Sequence, residues 1–128
     1  MTVTLNHTIV PAADNREAAR FLASVLGLEL LAPAGPDGRF APVRVNDTLT
    51  LDFLTVPHPE GHHLAFDVDP ATFDRVLGRL RETRTPYGSD PGHPDNGRTD
   101  HRFAARGLYF RDRSGNLYEV MSPERSGN

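Results

Sequence analysis

The chain has 128 residues, enough for one ordinary domain, and its 38% hydrophobic and 24% charged content excludes a disordered chain. Lys+Arg total 14 against 17 Asp+Glu, a formal net charge of -3. With no basic run interleaved with aromatics, nucleic acid is not an expected partner. Cysteine is absent, which excludes disulfides, thiolate metal sites and cysteine nucleophiles together.

Met1 to Leu5 has no positive segment and no long apolar stretch, so no signal peptide is expected, and no apolar run reaches the length of a membrane span. Without an export signal the sequons Asn6-His7-Thr8 and Asn46-Asp47-Thr48 carry little weight. The expected location is the cytoplasm, with no membrane partner.

Leu5 to Val10 reads as a first strand. Asp14 or Asn15 then caps a helix whose apolar stripe is Ala18, Phe21, Leu22, Val25 and Leu26, and Gly27 ends it. A short apolar piece, Leu28 to Leu31, and a turn-rich stretch, Pro33 to Gly38, lead to strands Phe40 to Val45 and Leu49 to Thr55. Pro57 to Gly61 separates the halves. His63 to Val68 is the next strand. Asp69-Pro70 starts a second helix with its stripe at Phe73, Val76, Leu77 and Leu80. Ser89 to His101 is the longest irregular segment, and such loops are often functional. Leu108 to Phe110 and Asn116 to Met121 are strands around the turn Asp112 to Gly115, and the chain from Pro123 reads as a tail.

The order is strand, helix, three strands, twice. This predicts an α+β fold of two βαβββ modules, residues 1–56 and 62–122, within a single domain over 1–128. Arg44 to Phe53 aligns without a gap on Arg111 to Val120, strand, polar turn and strand in both, with an acid at each ninth position, Asp52 and Glu119. A histidine opens or enters the first strand of each half, His7 and His63. Alternation puts His63, Ala65 and Asp67 opposite Leu64, Phe66 and Val68, which pack on a helix. Glu119 lies inside a strand, where a buried carboxylate must find a partner. His7, His63 and Glu119 are candidate ligands for one divalent ion (Fe, Mn, Zn, Ni or Co), leaving coordination positions open for water and substrate. The competing reading makes His7 a satisfied strand histidine and pairs Glu119 with an arginine.

The stretches Leu5-Asn6-His7-Thr8-Ile9-Val10 and Leu26-Gly27-Leu28, then His63-Leu64-Ala65-Phe66-Asp67-Val68, and finally Gly107 to Glu119 resemble the vicinal oxygen chelate family, the glyoxalase, bleomycin-resistance and extradiol-dioxygenase superfamily. The resemblance spans nearly the whole chain. It departs at Arg113-Ser114, where the family commonly has Pro-Asp in a turn. It implies a cupped mixed sheet with flanking helices around a divalent metal held by His7, His63 and Glu119. It also implies a homodimer whose sites can draw on both chains. Family members differ at a fourth position, which falls on Asp52: a fourth ligand, a general base, an acid orienting a ligand histidine, or a structural residue.

Arg106 is a candidate anchor for an anionic substrate, against a surface ion pair. His101 is a candidate proton-transfer group, against a hydrogen-bonded loop residue, and His93 and Arg98 share its loop. Tyr109 and Phe110 read as core rather than pocket wall. Arg44 and Arg111 read as solvent-facing, and His58 and His62 receive no role. The leading expectation is a metal-dependent glyoxalase- or dioxygenase-like enzyme on a small oxygen-bearing substrate, with Asp52 or His101 moving a proton and Arg106 holding a negative group. The alternative is a bleomycin-resistance-like protein that sequesters an antibiotic without catalysis. A third is a structural or regulatory dimer module.

Overall fold

Helix α1 (Asn15–Leu26) shows how local sequence builds the fold. The Asp14 carboxylate accepts the backbone N–H of Arg16 and of Glu17, each at 3.1 Å, satisfying two of the donors a helix start leaves open. At the other end Gly27 takes a left-handed conformation (φ 69°), which a Cβ would penalise. Between them Ala18, Leu22, Val25 and Leu26 are buried as one stripe, with Ala19 and Ala23 beside it. The computed structural model describes residues 2–123. Beyond Pro123, the expected tail lies outside them.

Two compact units divide the chain: residues up to His62 with the turn Asp112–Gly115, and His63–Arg111 with the chain from Asn116. In the first unit β1 (His7–Ala12), β2 (Glu29–Leu30), β3 (Phe40–Arg44) and β4 (Thr50–Thr55) form a sheet ordered β1-β4-β3-β2. β1 runs parallel to β4 from His7↔Thr50 onward, and β3 is antiparallel to both its neighbours. Val10, Val43, Leu51 and Phe53 are essentially without solvent exposure, as is Leu22 of α1. The turn Asp112–Gly115 belongs to this unit: the Ser114 hydroxyl accepts the Ala13 N–H at 2.9 Å.

The second unit holds β5 (His63–Asp67), α2 (Pro70–Glu82), β6 (Arg106–Arg111) and β7 (Leu117–Ser122), with sheet order β5-β7-β6. Asp69 caps α2 by accepting the Thr72 N–H at 2.7 Å, with Pro70 in the first turn. Phe73, Val76 and Leu80 from the helix and Leu108, Phe110, Tyr118 and Val120 from the strands are all fully buried. Burying each large apolar side chain is worth about 1.5–3 kcal/mol. Leu77, expected in the stripe, is half-buried.

The two modules are thus βαβββ-like with mixed sheets and flanking helices. The second copy is less complete than the repeat predicts. The counterpart of β2 shrinks to an isolated bridge, Gly88↔Tyr109. Pro86, two residues earlier, has no N–H with which to extend a ladder there. The repeat nevertheless holds in register. β1 pairs His7 with Thr50, two residues before Asp52. β5 pairs His63 with Leu117, two residues before Glu119.

Gly78 lies inside α2, and a Cβ built there meets nothing within 4 Å. Gly78→Ala therefore adds helix propensity without a clash and should raise unfolding stability by about 0.5–1 kcal/mol, measured by urea denaturation.

Candidate functional site

The site grows out of sheet parity in the second unit. Antiparallel β6 and β7 set Tyr109 directly opposite Glu119, and parallel β5 sets Ala65 opposite it on the other side. His63, two residues before Ala65, shares that face. Gly107, two residues before Tyr109, opens a gap on the same face. A Cβ there would lie 2.3 Å from His101 Cδ2 and 2.6 Å from Cγ. Only a glycine lets the imidazole lie against the strand.

Four side chains meet in this way. His63 Nε2 is 2.9 Å from Glu119 Oε1, and His101 Nε2 is 2.6 Å from Oε2. Tyr109, directly opposite Glu119 across the β6–β7 ladder, brings its phenol toward the same carboxylate and is coupled to its ionisation. The His101 ring stacks beside that of Tyr109, centroids 6.0 Å apart and planes 15° from parallel, within the usual aromatic range. Burial is graded. The His101 side chain is 3% exposed, that of Glu119 10%, and that of His63 50%.

The network fixes the proton positions. The Phe103 N–H donates to His101 Nδ1 at 3.0 Å, so Nδ1 holds a lone pair and Nε2 carries the proton given to Glu119. A carboxylate only accepts, so His63 also donates through Nε2–H. Its Nδ1 is left without a hydrogen-bond partner among the described residues. Burial pushes the Glu119 carboxyl up, but donation from His101, Tyr109 and His63 outweighs it and holds the group below its ordinary value of 4.5. Burial, then the bond to Glu119, push the Tyr109 phenol up to about 12.

The loop before β6 is built to hold His101. Asn96 Oδ1 accepts from the Ser89 N–H at 3.0 Å and the Arg98 N–H at 2.9 Å, and Asn96 Nδ2 donates to Ser89 Oγ. Gly88 exchanges both backbone bonds with Tyr109, and the Gly107 N–H donates to Thr99 O at 2.9 Å. His93 is exposed, and Arg98 pairs with Asp100 in solvent at 3.0 Å.

Of the other expected site residues, Arg106 shares this unit but not this face. Arg106 alternates with Gly107 and so points to the opposite, helix-covered face. It pairs with Asp74 at 2.8 Å, donates to Pro70 O at 3.3 Å and lies 4.3 Å over the Phe73 ring. That makes it a clamp between β6 and α2 rather than a free anion anchor. His7 and Asp52 are in the first unit, on one face of the β1–β4 pair by register. His7 Nδ1 donates to Asn6 Oδ1 at 2.8 Å. Asp52 is half-buried and has no hydrogen-bond or ion-pair partner among the described residues. Arg44 donates to Thr50 Oγ1 and to the Asp47 carbonyl rather than simply facing solvent.

The expected divalent cofactor is corrected. Among the described residues no three His, Cys, Asp or Glu side chains are grouped so as to hold a metal ion. The reason lies in the donor set of the best-formed cluster. Both Glu119 oxygens accept imidazole N–H groups and His101 Nδ1 accepts a backbone N–H, so the lone pairs do not converge on one point. The residues as arranged do not fit the ion.

Comparison with known proteins agrees with the architecture. The Glyoxalase/Bleomycin resistance protein/Dioxygenase superfamily profile matches residues 4–120. The chain belongs to this superfamily. It is similar to the solved structure titled Oxidase ChaP-H2, at 39% identity and a TM-score of 0.88, covering 99% of this chain and 98% of that one. Oxidase ChaP-H1 follows at 37% identity and 0.81, covering 98% and 100%. TnmS3, an antibiotic binding protein from Streptomyces sp. CB03234, shares the fold at 22% identity and 0.72, covering 96% and 98%. No protein of curated function matched the sequence. Among the described residues no helix is long and apolar enough to cross a membrane.

Two outcomes test this geometry. Gly107→Ala should destabilise the protein by about 1–3 kcal/mol through overpacking against His101, read by urea denaturation. A neutral or stabilising result would mean the ring is not seated on the strand. Tyr109 is one of three tyrosines, and its raised pKa favours the protonated phenol. Its stabilising contribution is present below the ordinary value of 10 and is lost as pH rises through about 12. In an ultraviolet tyrosinate titration, Tyr109→Phe should remove a component near pH 12. Curves differing only near pH 10 would contradict the contact.

Proposed function

We propose that the chain is an oxidase-type enzyme acting on a small oxygen-bearing substrate, with His63 and Glu119 as its proton-accepting pair. One observation carries this reading: a nearly buried carboxylate receives His63 Nε2–H, while the ring is half-exposed and its Nδ1 has no hydrogen-bond partner among the described residues. That is the arrangement in which a carboxylate orients an imidazole and steadies the imidazolium formed when it takes a proton. His101 and Tyr109 keep Glu119 ionised for that task by donating to it.

The substrate class follows from what the pair can do. An acidic hydroxyl, phenolic or enolic, gives its proton to His63 Nδ1, and the proton stays there as the oxyanion forms. The oxyanion is more electron-rich than the parent hydroxyl and loses electrons more readily; dioxygen is the acceptor, taking two electrons and two protons from the substrate to leave as hydrogen peroxide. The likeness to two structures titled oxidases, at 39% and 37% identity over nearly the full length, supports that reaction class. Sequestration of an antibiotic without turnover would use the same fold, but it has no chemical need for a carboxylate held by two imidazoles.

Oxygen uptake measured with a panel of small phenols and enolisable ketones tests the proposal. Glu119→Gln and His63→Ala should each lower kcat/KM by about 10²- to 10⁴-fold, with the loss chiefly in kcat. Arg106→Gln should leave the rate within a few-fold because its guanidinium serves the α2 clamp. Tight binding of panel members with no turnover by the wild type would favour sequestration instead.

A further inference from the structure

The first unit carries a cavity that the Glu119 cluster does not use. It has a volume of about 260 Å³ and lies against α1 and the β2–β3 segment. Its polar wall is the pair Arg16 and Arg20, and its apolar wall includes Leu30, Leu31 and Phe40. Leu30 and Leu31 are 45% and 37% exposed, unusual for large apolar side chains flanking a concave surface. Ala19, between the arginines, is fully buried and small, and it too lines the cavity.

The charge pattern is one-sided. The cavity lining contains two arginines and no acid, in a chain whose net charge is -3. Of the acids next in sequence to lining residues, Glu29 and Asp37 are outside the lining, and two others are engaged elsewhere. Asp14 caps the helix, and Glu17 faces Arg113 at 3.6 Å. Neither Arg16 nor Arg20 has a side-chain hydrogen-bond or ion-pair partner among the described residues. They stand four residues apart on one helix face, where like charges repel by a few tenths of a kcal/mol. An anion shared between them turns that repulsion into two charge-assisted contacts. Asn15 offers no competing donor, since its amide N–H groups go to the carbonyls of Arg39 and Phe53.

We infer that this cavity binds a small amphipathic carboxylate, its anionic group held by Arg16 and Arg20 and its apolar ring lying on Leu30, Leu31 and Phe40. The size sets an upper limit: 260 Å³ is just below the range of about 300–1,000 Å³ typical of drug-sized ligands, so a single ring fits better than a fused system. The site is independent of the oxidase reading, because every residue in it belongs to the first unit.

Benzoate is the probe. Amide shifts followed by ¹H–¹⁵N spectra of the full chain should map to Ala19, Leu30, Leu31 and Ala41. The neutral isostere benzamide and inorganic phosphate should each bind about ten-fold or more weakly. The double variant Arg16→Ala/Arg20→Ala should lose about ten-fold or more in benzoate affinity. Leu31→Glu, which leaves both arginines in place, should lose a similar factor. Benzoate affinity unchanged in both variants would overturn the assignment. So would phosphate or benzamide matching benzoate, shifts clustered on other residues, or no shift up to roughly 20 mM.

Discussion

A carboxylate inside a strand is costly unless donors reach it, because water that would solvate its charge is excluded. Glu119 is such a group, and the second unit is organised around supplying those donors. Antiparallel pairing brings Tyr109 opposite, parallel pairing brings His63 diagonally beside it, and the missing Cβ of Gly107 admits His101. Together they outweigh the desolvation and keep the carboxyl below its ordinary range. Its contribution to stability is therefore present above pH 4.5 and is lost as pH falls through the lowered value.

The duplicated framework shows what makes the difference. Asp52 has the same relation to His7 that Glu119 has to His63, yet among the described residues no donors gather around it. The position opposite Asp52 on β3 is Pro42, where the second unit has Tyr109. The position matching Gly107 is Phe40, which pairs with Leu54 two residues beyond Asp52. Proline brings no side-chain donor and phenylalanine fills the gap that glycine leaves. One copy of the repeat cages its acid, and the other leaves its acid half-buried with no partner among the described residues.

Much of this was legible in the sequence. The apolar stripes, the caps at Asp14 and Asp69, the element order and the paired acids all follow from local periodicity and the internal alignment. The role of Glu119 as a strand carboxylate needing a partner was also readable. The partners were not: an arginine was the expected alternative to a metal, and two imidazoles took that place. The signal existed in part, since counting outward from the turn Asp112–Gly115 pairs Arg111 with Leu117 and hence Tyr109 with Glu119. His101 could not be found in that way, because its position depends on an aperiodic loop tied by Asn96 and Gly88. The direction of Arg106 follows from parity: it alternates with Gly107 and faces α2. Metal ligation depends on where lone pairs point, and residue types and spacing do not contain that information.

The central claim is that Glu119 accepts from two imidazole Nε2–H groups. Long-range ¹H–¹⁵N correlation of the histidine rings at roughly pH 9, where free imidazoles are neutral, reads this directly. The account predicts that His63 and His101 both carry the proton on Nε2, with Nδ1 unprotonated. A His101 ring protonated on Nδ1, with a bare Nε2 facing the carboxylate, would contradict it.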